Sequence, residues 1–150
     1  MTSRSTDGPP GGRRHLFMTP QARGFVFERI AGSRVVATPA ALDAACWPPD
    51  ALAWRLAPDE VFVTTAISRE VVDDPHAIIE PDGGFVGVWV DAGRALDFLE
   101  RSCQWELPDE RPAWAQGAVA GLPVKLWIEP DRVWIVVPAP YARDLEERLS

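Results

Sequence analysis

Val124-Lys125-Leu126-Trp127-Ile128, then Glu129-Pro130-Asp131-Arg132, then Val133-Trp134-Ile135-Val136-Val137 reads as two strands joined by a tight turn. β-Branched and aromatic residues fill both arms, and the central Pro-Asp supplies turn chemistry. A four-residue turn sets Ile128 opposite Val133. Alternation then places Val124, Leu126, Ile128, Val133, Ile135 and Val137 on one face and Trp127 and Trp134 on the other. The aliphatic face is the expected core.

Working outward, Pro140 opens a last helix with Tyr141, Leu145 and Leu149 on one stripe. Further upstream the hairpin has a counterpart: Ala57-Pro58-Asp59-Glu60-Val61-Phe62-Val63 matches Glu129-Pro130-Asp131-Arg132-Val133-Trp134-Ile135. The same register logic there points Trp54, Leu56, Val61 and Val63 inward and Arg55 and Phe62 outward. Each hairpin is preceded by a strand and a helix. In the first pass these are Arg34 to Ala37, an N-cap at Thr38 with Pro39 at the first helical position, and a helix through Cys46. In the second they are Phe85 to Val90, an N-cap at Asp91, and a helix with Ala92, Ala95, Leu96 and Leu99 on one face. Phe85 and Trp89 lie on the strand face opposite Val86, Val88 and Val90.

The helices also match, Ala41-Leu42-Asp43 against Ala95-Leu96-Asp97. The chain thus reads as two related β-α-β-β units, each covering a sheet face for the other, in one α+β domain over residues 24 to 150. The surplus of the second half falls in a long loop from Gln104 to Gly121, with room for a short strand. Residues 1 to 21 mix Ser, Thr, Gly, Pro and Arg without apolar periodicity and read as a disordered tail of opposite charge to the rest.

The chain has 150 residues, 47% of them hydrophobic and 25% charged, the range of an ordinary globular domain. A chain of this size buries roughly 68–70% of its unfolded surface, enough for a real core. A net charge of −7 opposes a phosphate backbone and argues against nucleic-acid binding. No N-terminal apolar stretch is long enough for a signal peptide or a membrane span, and two cysteines make no disulfide framework, so the expected compartment is the cytoplasm.

Catalytic patterns are missing. The two histidines are His15, in the tail, and His76, whose pairing with Cys46 or Cys103 no spacing supports. The same residues make no zinc set. Asp73-Asp74, Asp109-Glu110 and Glu146-Glu147 read as solvated surface, and Gly11-Gly12 and Gly83-Gly84 lack phosphate-loop spacing. Seven tryptophans stand out, and tryptophan serves both cores and interface hot spots.

The stretch Trp54-Arg55-Leu56-Ala57-Pro58-Asp59-Glu60-Val61-Phe62-Val63 resembles the Leu-Gly-Pro-Asp-Glu-Trp segment of the gamma subunit of heterotetrameric sarcosine oxidase. The later order is similar: a helix ending in Leu99-Glu100-Arg101-Ser102-Cys103, a proline-containing loop, Ala115-Gln116-Gly117, the hairpin from Val124, and Pro140-Tyr141-Ala142 before the last helix. That family is related to the folate-binding domain of glycine-cleavage T-protein and the aminomethyltransferases. The resemblance implies two ferredoxin-like halves forming one compact domain. It also implies a non-catalytic accessory subunit of an amine oxidoreductase that binds no cofactor itself, with flavin and folate held by larger flavoprotein-type subunits. The chain departs from the family at Glu80-Pro81-Asp82-Gly83-Gly84, which reads as a plain turn, and in a helix after Thr65 shortened to about Ile67 to Asp74.

Two alternatives remain at this level. One is a stand-alone one-carbon enzyme with folate between the halves, met by Glu80, Asp82 or Arg94. The other is a small ligand-binding regulatory module. For the accessory subunit, the expected partner surface is the aromatic face, Phe62, Phe85, Trp89, Trp127 and Trp134, with Trp105 and Trp114 from the loop.

Overall fold

The computed structural model describes residues 25 to 150, and the tail reading of residues 1 to 21 lies outside them. In chain order the elements are β1 (Glu28–Val36), α1 (Pro39–Ala44), β2 (Ala53–Ala57), β3 (Glu60–Val63), β4 (Ile78–Asp91), α2 (Ala92–Ser102), β5 (Ala113–Val119), β6 (Leu122–Ile128), β7 (Arg132–Pro138) and α3 (Ala142–Leu149). They form a mixed α/β structure, mostly antiparallel sheet with few helices. The described residues fall into two compact units, 30 to 83 and 84 to 150, with 25 to 29 joining the second.

In the first unit β3 pairs with β1 on one side and β2 on the other. Helix α1 starts where expected: Thr38 Oγ1 accepts the Ala41 N–H at 3.2 Å, and Pro39 occupies the first turn. Asp74 holds that start in place, accepting the Thr38 N–H at 3.0 Å and the His76 N–H at 2.8 Å. Ala41 and Leu42 then bury against Val35, Val61, Val63, Val72 and Ala77.

The first hairpin departs from its expected register. Ala57 pairs with Glu60 and Arg55 with Val61, so Leu56 is bulged out of the ladder. The extra residue rotates the rest of β2 by one position and sets Trp54 opposite Phe62. Both rings are fully buried, 6.2 Å apart, and Phe62 lies where a Cβ on Gly32 would clash with it. Phe62 keeps its face, opposite that of Val61 and Val63, but is fully buried there and offers no exposed surface, whereas Trp54 has moved to the Phe62 face. The helix expected from Ile67 to Asp74 is a single 3-10 turn at Arg69–Val71, and α1 stops at Ala44, short of Cys46.

In the second unit the strand order is β4-β7-β6-β5. The deciding hairpin has the expected register, Ile128 opposite Val133, Trp127 opposite Trp134 and Leu126 opposite Ile135. Its aliphatic face is buried beneath Ala95, Phe98 and Leu99 of α2 and Leu145 and Leu149 of α3. Asp91 Oδ2 accepts the Arg94 N–H at 3.0 Å and starts α2. Two expectations are corrected. Glu80-Pro81-Asp82-Gly83-Gly84 is no turn but part of β4, because neither glycine takes a positive φ. The loop after α2 holds a full strand, β5, closed onto β6 by Ala120 and Gly121 at φ 53° and 80°. Paired positive φ is the geometry of a two-residue hairpin loop.

Candidate functional site

The second unit carries its tryptophans in one row. Trp114 of β5 lies opposite Trp127 of β6, Trp127 opposite Trp134 of β7, and Trp134 opposite Trp89 of β4. Cross-strand partners share a sheet face, so all four lie on the face turned away from α2 and α3. Exposure rises along the row to the outer strand, from 5% at Trp134 to 37% at Trp114, with Trp127 half-buried between them. Trp134 and Trp89 stack at 5.7 Å and 16°, and Trp134 is seated over Gly87, whose missing Cβ would lie 2.6 Å from Nε1. Trp134 is thus held within the sheet's own packing, and the exposed end of the row is Trp114.

A polar lattice fixes the hairpin end of this face. Glu129 accepts Trp127 Nε1–H and Arg132 Nε–H, both at 2.8 Å, and the Arg132 guanidinium lies 3.6 Å above the Trp89 ring. Arg132 stacking and its ion pair to Glu129 hold both side chains largely buried. Lys125 sits 4.4 Å over Phe85, another half-buried ring of the face. The Trp89 indole N–H is buried and meets no acceptor among the described residues.

Trp105 lies elsewhere. It packs on Gly117, and its Nε1–H donates to the Ala118 carbonyl at 2.8 Å, which pins the segment after α2 along the end of β5. Together with Trp114 it lines an open groove beside β5.

The residues considered for folate are engaged by the chain itself. Glu80 lies 3.9 Å from Arg34, which is held principally by Glu60, and that bond raises the Arg34 pKa above its usual value. Asp82 has partners within the chain as well. Arg94 stacks 4.6 Å from the centre of the Phe25 ring and donates to the Leu149 carbonyl at 3.4 Å. Cys103 donates its thiol to the Trp105 carbonyl at 3.3 Å. Among the described residues, no group of three or more His, Cys, Asp or Glu could hold a metal ion, and no helix is long and apolar enough to cross a membrane.

One chain of the heterotetrameric sarcosine oxidase from Corynebacterium sp. U-96, solved in complex with pyrrole 2-carboxylate, superposes on this chain with a TM-score of 0.63 at 16% identity. The match covers 85% of this chain and 82% of the other. It has the fold of a sarcosine oxidase subunit. No protein-family model matches the sequence, and no curated protein does. What is common to this chain and the sarcosine oxidase subunit is therefore carried by topology and packing.

Trp114 was among the residues the sequence offered, but as part of a loop; the seven-residue strand β5 that places it in the row is what the sequence did not yield. A signal existed: Ala113, Ala115, Gly117 and Val119 alternate with Trp114, Gln116 and Ala118, a period of two written in small residues.

Proposed function

We propose that the chain is an accessory subunit of a heteromeric, sarcosine-oxidase-like amine oxidoreductase, with flavin and folate chemistry on its larger partners. The observation that carries this is the reciprocity of the structural match. A likeness spanning most of both chains is a likeness to a whole subunit of similar length, not to a domain embedded in a large enzyme. The graded tryptophan row supports a protein-binding role, since an aromatic face with a preordered arginine is what an interface hot spot is made of. On this reading the two halves are each ferredoxin-like and the chain acts in the cytoplasm.

Titration with tetrahydrofolate separates this reading from the one-carbon enzyme. The accessory subunit leaves the isolated chain without saturable folate binding or turnover. Micromolar binding with turnover would replace it.

A further inference from the structure

Among the described residues, β5 is the outer strand of the second unit, paired along its length with β6 alone. Outer strands usually carry a charge, a proline or a bulge that discourages pairing with another chain. β2 of the first unit has both a bulge and Arg55. β5 reads Ala-Trp-Ala-Gln-Gly-Ala-Val, with none of the three.

The direction of its backbone groups follows from its partner. Ala118 lies opposite Pro123, which has no N–H, so this is a pair without hydrogen bonds, and the Ala118 carbonyl turns away from β6 to accept Trp105 Nε1–H. The two-residue period turns the backbone of Trp114 the same way. At the far end this outward edge is already covered: Cys103 bridges to Val119, and the Ala120 N–H donates to the Ser102 carbonyl at 3.0 Å. Toward Ala113 the covering segment leaves an open groove of about 570 Å³ beside the strand. Trp105, Leu107 and Trp114 wall it, and Glu106 and Asp109 stand exposed on its rim. Arg111, in the same segment, is turned onto the carbonyls of Pro108 and Glu110 at 2.8 Å.

We propose that this groove receives an extended segment of the larger subunit, which adds a strand to β5. Resting on the subunit reading above, it assigns that segment its chemistry. Main-chain hydrogen bonds pair it with the edge at Trp114, a lysine or arginine answers Glu106 and Asp109, and an apolar side chain rests on the Trp114 ring.

The test uses blocked peptides of alternating lysine and valine, of alternating glutamate and valine, and an N-methylated lysine-valine peptide, each added to the full chain. Hydrogen exchange at Trp114 and tryptophan fluorescence are the readouts. The lysine-valine peptide is expected to slow exchange at Trp114 about tenfold or more, and the other two to leave it unchanged. Trp114→Pro removes the N–H and is expected to abolish the fluorescence response to the peptide, whereas Trp114→Ala, which keeps it, retains part of that response. The double variant Glu106→Lys/Asp109→Lys, at exposed positions, is expected to bind the glutamate-valine peptide instead. Equal protection by both charge types, or binding that survives N-methylation, overturns the proposal. So does concentration-dependent self-association that Trp114→Pro removes, because the occupant is then a second copy. If chains carrying Trp114→Pro still purify with their large subunits, docking lies elsewhere and the subunit reading stands. A wild-type chain that never carries large subunits removes that reading.

Discussion

Ala120 takes φ 53° in the turn between β5 and β6, a left-handed conformation that costs a residue with a Cβ about 1–2 kcal/mol. The next position is Gly121 at φ 80°, so the turn wants Asn-Gly and has Ala-Gly. Ala120→Asn is expected to raise stability by about 0.5–1 kcal/mol, read as a later denaturant midpoint with an unchanged slope. A second residue sets a pH dependence. Backbone N–H groups of Thr38 and His76 donate to the Asp74 carboxylate and lower its pKa. A carboxyl lowered in the folded state contributes stability above its unfolded pKa, about 3.9, and loses it as pH falls through the folded value. Asp74→Asn, which imitates the protonated group, is therefore expected to melt below wild type at pH 7, with the gap closing on acidification below pH of about 4. A gap independent of pH would show that the carboxylate charge does not hold the α1 start.

At the level of elements, the tryptophan row makes a graded prediction. Trp134 is buried and stacked, so Trp134→Ala is expected to cost about 3–5 kcal/mol. Trp114, exposed at the outer strand, should cost no more than about 0.5 kcal/mol on the same change. Chemical denaturation of the two variants checks the order, and equal losses would mean that Trp114 is also part of a packed core. The hairpin of β6 and β7 was legible because both faces of its register are distinct, aliphatic against aromatic, and a slip would bury Trp127 and Lys125 in place of Leu126. The hairpin of β2 and β3 was not. Its apolar residues occur on both faces, so no burial pattern betrays the bulge at Leu56, and Trp54 was assigned to the face of Val61 and Val63 instead of that of Phe62. β5 was hidden for another reason: alanine and glycine have low strand propensity, and the pairing with β6 supplies what the residues lack. The caps at Thr38 and Asp91 were readable because a capping bond is local, spanning three residues of sequence.

For the whole molecule, the sequence contains the order strand, helix, hairpin twice, and the structure has β3 pairing with β1 and β2 as β7 pairs with β4 and β6. The fold shared with the sarcosine oxidase subunit survives 16% identity because topology depends on apolar periodicity and turn placement more than on residue identity. The function proposed here depends on a partner, so the most direct measurement is native mass spectrometry of the tagged full chain purified from the cells that make it. An accessory subunit is expected in a fixed stoichiometry with larger flavin-containing subunits, and that assembly should oxidise an N-methylated amino acid. A chain found alone, or only with copies of itself, while it turns over tetrahydrofolate, would contradict the account.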